Sequence, residues 1–276
     1  MKKFLFIVLS GASLSLSAQK IALNKGQQII ITTTSSQDAD IMGMQMKNSA
    51  NSLASVVVQD SDKDNFITSY KLTKVNVNID AMGQQNTYDS DKPEDKDSEM
   101  GKALGDNINK EVPVLVNKNT GKASVKDKPS PERPEKGAEA NPLGGIMESF
   151  NAATEDAAVE TAFFILQPGK KAGDTWVDSS SREKFKEKKT YTLKSVTDGV
   201  ATILVNAIIE GNSTVEMQGM EMDLTFSSKS TGNIIVETKT SLVKKRTNNA
   251  EITGNINVMG QSVPVNSTAE ITIDYK

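Results

Sequence analysis

Strict alternation of apolar and polar side chains is the feature of this sequence that most limits its fold. It is clearest in two distant segments, residues 74–80 (KVNVNID) and residues 270–275 (EITIDY). Because successive side chains of a strand point to opposite faces, this pattern predicts strands with one buried face. Further strands are predicted at residues 27–34, 53–59, 65–72, 112–117, 190–196, 200–209, 220–227, 233–243 and 251–259.

Two parts of the sequence match each other. VNVNIDAMGQ at residues 75–84 aligns with ITGNINVMGQ at residues 252–261, and GMQM at residues 43–46 aligns with GMEM at residues 219–222. Each match places a glycine between two predicted strands, where its freedom to adopt positive φ permits a tight hairpin. The repeat predicts a duplication of one β-rich unit.

A helix is expected between the two copies. Residues 126–145 read KDKPSPERPEKGAEANPLGG, and so little apolar surface beside so many prolines predicts a mobile loop. Residues 146–166 then place apolar side chains at helical spacing and end before Pro168 and Gly169. A shorter helix is predicted near residues 98–108.

These elements predict a mainly β (α+β) fold in a single domain, residues 19–276. Its sheet is expected to be antiparallel and curved, or a half-barrel, built from duplicated halves at residues 19–125 and 167–276. The helix at residues 146–166 is expected to pack on this sheet. Two separate sandwiches are the alternative, but halves this short joined by a helix favour one sheet.

The N-terminus has the layout of a secretory signal peptide, predicted to span residues 1–18. Two lysines precede an apolar run from Phe4 to Leu9, and small residues follow up to Ala18. No cysteine follows this run, so a lipoprotein anchor is excluded, and no segment is apolar for long enough to predict a membrane anchor. The expected location is periplasmic or secreted.

The chain contains neither histidine nor cysteine, which excludes Ser-His-Asp and Cys-His catalysis and His-ligated zinc. Ser-x-x-Lys spacings occur about as often as chance predicts. The acidic run Asp60, Asp62 and Asp64 lacks the glycine and glutamate of a calcium loop. The protein is therefore predicted to be non-catalytic, without cofactor or metal. A net charge of −3 with only three arginines also argues against a nucleic acid partner.

Methionines at strand spacing are the clearest hint of a binding surface. Flexible thioethers can line a groove for an apolar ligand, although a filled core uses the same residues. Thioethers also bind Cu(I), but Met220 and Met222 continue into apolar residues on the same strand face, which is typical of a core. The predicted ligand-binding residues are Met44, Met46, Met220, Met222, Phe226, Trp176 and Phe150.

Two functions remain open from the sequence. The first is binding of a lipid or another apolar or amphiphilic small molecule between the curved sheet and the helix. The second is an envelope or surface interaction module with a filled core, which recognises a protein, such as an envelope protein, or a glycan through its hairpin tips. A cavity between the sheet and the helix would favour the first function, and a filled interior would favour the second.

Several segments resemble an uncharacterised family of secreted Bacteroidota proteins, known only as a domain of unknown function. They include VPVLVNKNTGKASV, PGKKAGDTWVDS and STGNIIVETKTSLV, with a Gly-Asp-x-Trp motif at Gly173 to Trp176 and a Tyr-Asp-Ser motif at Tyr88 to Ser90. The resemblance implies an exported β-rich protein with no assigned activity. In fold, the chain also looks like the curved half-barrels of outer-membrane lipoprotein carriers.

Overall fold

The computed structural model describes residues 20–41, 43–81, 83–126, 155–182, 185–217, 220–258 and 261–276. These residues are mainly β, with two short helices, α1 (Glu99–Leu104) and α2 (Glu155–Glu160). The strands are β1 (Gln28–Ile41), β2 (Met44–Ser61), β3 (Asn65–Ala81), β4 (Gln84–Asp89), β5 (Glu111–Asn117), β6 (Ala123–Val125), β7 (Thr175–Arg182), β8 (Phe185–Thr197), β9 (Val200–Met217), β10 (Met220–Glu237), β11 (Val243–Val258) and β12 (Gln261–Tyr275).

All twelve strands belong to one open antiparallel sheet. Its order is β6-β5-β3-β2-β1-β12-β11-β10-β9-β8-β7, and β4 pairs with β3 beside this path. The two halves of the chain join where β1 pairs with β12, in a register that sets Ile31 opposite Tyr275. The predicted fold class, a mainly β protein built on an antiparallel sheet, is confirmed.

The strands are longer than the alternation predicts. Residues 220–227 and 233–243 were expected to be separate strands, but β10 runs unbroken to Glu237. Likewise, β1 continues through the polar segment TTTSSQDAD. Such segments lack the apolar residues on which prediction depends, yet pairing with a strand on each side satisfies their backbone hydrogen bonds and keeps them in the sheet.

Four strand junctions lie at one end of the sheet: β1–β2, β3–β4, β9–β10 and β11–β12. Gly43 and Gly83, in the first two, have φ of 78° and 77°, as the hairpin prediction requires. Gly219 and Gly260, predicted for the other two, lie outside the described residues. We call this end the hairpin end and the opposite end the closed end.

The strand boundaries of the two halves follow the alignment of the repeated segments. β2 begins at Met44 and β10 at Met220, while β3 ends at Ala81 and β11 at Val258. By this alignment, β1 to β4 correspond to β9 to β12. The two sets have the same spatial order across the sheet, β4-β3-β2-β1 followed by β12-β11-β10-β9. The origin of the two halves by duplication stays a prediction.

The main hydrophobic core lies at the closed end. Strands far apart in the sheet contribute to it, with Val114 of β5, Val56 of β2 and Leu193 of β8 all fully buried. Because these strands meet in one cluster, the sheet bends around it. Residues 155–166 fill the inside of this bend, and we call them the plug. Their buried side chains are Val159, Ala162, Phe163 and Leu166.

The helix predicted over residues 146–166 is wrong at its C-terminal end, because α2 ends at Glu160. The buried residues of the plug do have helical spacing. Beyond Glu160, however, their backbone pairs with the chain around the β10–β11 turn: Val243 N–H donates to the Ala162 carbonyl at 2.9 Å. The N–H groups of Thr161 to Phe163 still donate to carbonyls three or four residues earlier, and a tertiary hydrogen bond replaces the helical one at Phe164, whose N–H donates to the Ser241 carbonyl at 2.9 Å. Residues 146–154, the predicted loop from residue 127 onward and the leader at residues 1–18 lie outside the described residues.

A second, smaller cluster lies beside β3 under α1. It buries Val77, Ile79, Tyr88 and Leu104. The helix predicted near residues 98–108 is present in shortened form as α1. Ser98 caps it, because its Oγ accepts a hydrogen bond from Gly101 N–H at 2.9 Å.

Candidate functional site

Each long strand turns one face towards the plug and the other away from it. Residues paired across neighbouring strands share a face, so the register extends the face with the core from the closed end to the hairpin end. We call it the core face and the opposite one the outer face. On β11, Arg246, Asn248 and Ala250 lie on the core face, whereas Lys245 and Asn249 lie on the outer face.

The plug covers only the closed-end part of the core face. Ile271, in the row of residues next to Arg246, is already 36% exposed. Near the hairpin end, Leu224, Phe226 and Ile252 are half-buried. We call this remainder the open area, defined as the core-face residues from Asn248 to Ile256 of β11 and those paired with them on β1, β2, β9, β10 and β12.

Small side chains line the middle of the open area. One continuous row across five strands, set by the register, consists of Gln37, Ala269, Ala250, Ser230 and Ala207. The neighbouring row includes the buried Gly232, whose missing side chain allows the Thr247 carbonyl of β11 to lie close to it. The side chains of the central row project little from the sheet, so the backbone lies near the surface of the core face there.

Larger apolar and aromatic residues border this small-residue floor. Trp176 of β7 stacks on Tyr191 of β8, with ring centroids 5.5 Å apart, and Phe164 of the plug lies 5.7 Å from the same tyrosine ring. Towards the hairpin end, Phe226 contacts Phe185 with centroids 5.9 Å apart. Aromatic rings therefore border the floor near the plug and near the hairpin end, and between them β8 contributes Lys189, which pairs with Glu187 at 2.8 Å.

Asn48 of β2 places an uncompensated amide on the core face. It is 3% exposed, and neither Nδ2 nor Oδ1 has a hydrogen-bond partner among the described residues. Its neighbour in the register, Gln37, instead donates from Nε2 to Ser267 Oγ at 2.9 Å. An unpaired buried amide destabilises the fold, so Asn48 does not contribute to stability at this position.

Arg246 stands where the plug meets the open area. Its Nε donates to the Thr161 carbonyl at 2.7 Å and its Nη2 donates to the Phe163 carbonyl at 3.1 Å. The Tyr275 hydroxyl donates to Thr161 Oγ1 at 3.0 Å beside it. Burial lowers the pKa of Arg246 and raises the pKa of Tyr275, because both charged forms lose water.

The outer face carries two shallow depressions of about 470 and 700 Å³. Both are wide open, and their walls include Asp38 and Glu251, with Lys229 in the larger one. Within the part of the chain that the structure describes, no three His, Cys, Asp or Glu side chains are grouped to hold a metal ion. Mixed charges on an open surface favour water over an apolar ligand.

Of the predicted ligand-binding residues, the four whose side chains the structure describes lie on different parts of the core face. Met44 is 38% exposed and Met46, Phe226 and Trp176 are half-buried. Met46 and Phe226 lie on β2 and β10, four strand spacings or about 19 Å apart. Met220 and Met222 begin β10, but their side chains are outside the described part of the structure, as is all of Phe150.

Sequence reasoning missed the small-residue floor and Arg246. The signal was available in part, because Ser, Ser and Gly occupy every second position of residues 228–232, and Ser267 and Ala269 do so on β12. Their meeting in one row depends on register, which no single segment contains. Arg246 stands out in the sequence only as one of three arginines, because it lies between the predicted strands at residues 233–243 and 251–259.

Residues 132–243 match the model of a family described as Family of unknown function (DUF6263). The match covers less than half of the chain and bears out the resemblance to a domain of unknown function. Among curated proteins, none matches this sequence. Neither described helix has the length and apolar character needed to cross a bilayer.

Three solved structures illustrate the fold-level likeness. Lipovitellin, from a structure titled "Lipid-protein interactions in lipovitellin", is 11% identical with a TM-score of 0.47, over 92% of this chain and 26% of that one. The chain thus spans about a quarter of lipovitellin's length. An outer membrane channel from Pseudomonas putida F1 is 8% identical (TM-score 0.26, covering 93% and 97%), and a porin variant from Rh. blastica is 6% identical (TM-score 0.26, covering 89% and 100%). TM-scores this low do not indicate a shared function.

Proposed function

We propose that this protein is an exported, non-catalytic binding protein that holds an apolar or amphiphilic small molecule on the open area. One observation carries the proposal. The apolar character of the core face continues beyond the plug, so that Ile271 is 36% exposed and Phe226 only half-buried. Exposed apolar surface of this kind is typical of an interaction site.

The hydrophobic effect supplies the driving force for such binding. Each 100 Å² of apolar surface that a ligand removes from water contributes about 2.5 kcal/mol. The floor offers this surface without side chains that must be moved aside, since its central row is made of Ala250, Ala269, Ser230 and Ala207. A narrow, flexible molecule such as a single acyl chain fits a floor of this kind better than a flat protein surface does.

Blocking the floor tests the proposal directly. Ala250→Trp places an indole on the core face, whereas the matched control Asn249→Trp places it on the outer face of the same strand. Binding is measured by the fluorescence of phenylnaphthylamine, an uncharged apolar probe, and by its displacement with hexadecanoic acid. We expect binding to wild type and to the control, and a loss of about tenfold or more in Ala250→Trp. Equal binding by both variants would overturn the proposal.

Trp176 gives an independent reading of the same site. It is the only tryptophan of the chain and borders the floor from β7. A brominated fatty acid bound on the open area should quench its fluorescence. Because Ala250→Trp would add a second tryptophan, quenching is compared between wild type and Ala250→Phe. If the fatty acid displaces all bound phenylnaphthylamine from wild type but leaves the fluorescence of Trp176 unchanged, the proposed location is contradicted.

The compartment is part of the proposal. The charged, apolar and small regions of residues 1–18 support export, which predicts a mature protein beginning near Gln19. N-terminal sequencing of protein recovered from the periplasm or medium measures this, and an intact Met1 would argue against export. Capture of an envelope protein by both Trp variants, without any lipid binding, would instead favour the interaction module.

A further inference from the structure

The core face carries one charged residue on β1 to β3 and β9 to β12, and on the neighbouring β8 it carries Lys189 and Glu187, which pair with each other at 2.8 Å. Across the described side chains of the seven strands β1 to β3 and β9 to β12, the register assigns a single Asp, Glu, Lys or Arg to this face, Arg246. The positions considered are residues 29–39, 46–58, 66–81, 201–211, 224–236, 246–256 and 263–275. Neighbouring charges such as Lys229, Lys245 and Glu251 all fall on the outer face.

No carboxylate of the described residues forms an ion pair with Arg246. Its contacts are the carbonyl oxygens of Thr161 and Phe163, and the Tyr275 hydroxyl. The nearest carboxylate on the plug, Glu160, is held by Lys122 at 2.8 Å and by the Ala123 N–H at 3.2 Å. The guanidinium therefore donates hydrogen bonds to neutral groups only, and the Glu160 carboxylate favours its charged form without forming an ion pair with it.

A guanidinium has five N–H donors in a planar fork and stays protonated in proteins. The three contacts of Arg246 leave further donors of this fork free to take another acceptor. Arg246 is half-buried, not sealed, and the next core-face residue on β11, Asn248, already belongs to the open area. An anionic group placed there would find a desolvated cation with a matching fork.

We infer that Arg246 binds the anionic head group, a carboxylate or a phosphate, of a single-chain amphiphile whose tail lies along the small-residue floor towards the hairpin end. The inference rests on the proposed function and adds the charge and the orientation of the ligand. The apolar tail runs away from the plug, past Ala250 and Ile252, along strands whose core face carries no other charge, whereas Lys189 and Glu187 on β8 neutralise each other at the margin of the floor. A neutral ligand would leave the cation uncompensated.

Matched ligands test the inference in the wild-type protein without any mutation. Hexadecanoic acid, hexadecyl phosphate and hexadecanol share one chain and differ in head group, and each is titrated against bound phenylnaphthylamine. We expect both acidic ligands to bind about tenfold or more tightly than the alcohol. Acetate and inorganic phosphate, which have the head group alone, should not displace the probe. Displacement by these small anions would overturn the requirement for an amphiphile.

Variants then test whether Arg246 causes the preference for acidic ligands. Arg246→Gln should reduce the affinity for hexadecanoic acid to that for hexadecanol and leave the alcohol unchanged, while Arg246→Lys should retain part of the preference. The control Lys245→Gln removes the adjacent outer-face charge, which pairs with Asp274 at 3.3 Å, and should change neither affinity. If Arg246→Gln fails to fold, Arg246→Lys and the wild-type comparison decide.

The outcomes separate the two proposals. Equal affinity of wild type for the acids and the alcohol overturns the role of Arg246 but leaves apolar binding on the open area intact. Failure of all three ligands to bind overturns the proposed function as well. A preference for acids that survives in Arg246→Gln would mean that another group binds the anion.

Discussion

The Nε of Arg246 donates a hydrogen bond to the carbonyl oxygen of Thr161, 2.7 Å away, although 85 residues separate them in the chain. This bond ties the plug to β11 where the covered core gives way to the open area. Because Arg246 lies at this boundary, it stabilises the fold and is also the group that we propose binds the ligand.

The Tyr275 hydroxyl should stabilise the same junction. It donates to Thr161 Oγ1 at 3.0 Å, so Tyr275→Phe is expected to lower the free energy of unfolding by about 1 kcal/mol. Thr161→Val removes the other partner. Urea unfolding of both single variants and the double variant should show less than additive losses, because the second substitution finds the bond already broken. Strict additivity would mean that the two hydroxyls do not interact.

The plug should depend on Phe163. This side chain is 5% exposed within the main core, and Phe163→Ala is expected to cost about 3–5 kcal/mol in free energy of unfolding. Phe185 provides a matched control, since it is 40% exposed on β8, and its replacement by alanine should cost about 1 kcal/mol or less. Denaturant midpoints measure both. Comparable losses would show that the plug is not packed as described.

Two glycines should respond oppositely to alanine. Gly83 has φ of 77°, where an L side chain is strained, so Gly83→Ala is expected to cost about 1–2 kcal/mol. Gly105 has φ of −62° and no atom within 4 Å of an added Cβ. There, Gly105→Ala should be neutral or stabilise by about 0.4–1 kcal/mol, because it restricts the unfolded chain. Thermal unfolding distinguishes the two, and a stabilising Gly83→Ala would refute the turn geometry.

Replacing Asn48 should stabilise the protein. Its amide is buried without a partner among the described residues, so Asn48→Leu, of similar size, is expected to raise the free energy of unfolding by about 1–3 kcal/mol. Asn51→Leu, at an exposed outer-face position of the same strand, should change it by less than about 0.5 kcal/mol. Urea unfolding of both provides the measurement. A destabilised Asn48→Leu would indicate that the amide is satisfied in solution.

Alkaline pH should weaken the core through Tyr70. Burial raises the pKa of Tyr70 from 10.0 to about 12. The neutral phenol is thus favoured in the folded state, and this contribution is complete below pH 10 and lost as pH rises through about 12. Two pKa units correspond to about 2–3 kcal/mol. Unfolding at about pH 9 and about pH 12 should therefore show a smaller alkaline loss in Tyr70→Phe than in wild type, and identical losses would exclude Tyr70 as the cause.

Much of the fold could be predicted from local patterns. The alternation at residues 74–80 and 270–275, and the glycines at positions 43 and 83, each act through neighbouring residues, and β3, β12 and the two turns occur where expected. The predicted C-terminal end of the helix was wrong. The spacing of Val159, Ala162, Phe163 and Leu166 indicates which residues are buried, but it does not determine the conformation of the backbone. At Phe164 the helical hydrogen bond is replaced by one to the Ser241 carbonyl in the β10–β11 turn.

The sequence by itself determined the class of the fold and which side chains of a strand share a face, because side chains two residues apart in a strand point to the same side. Only the tertiary structure decided the site. Ala207, Ser230, Ala250 and Ala269 become one floor through the registers of four strands, and Arg246 meets Thr161 because the sheet bends around the plug. Register and bending arise from contacts between residues far apart in the chain, so no local pattern contains them.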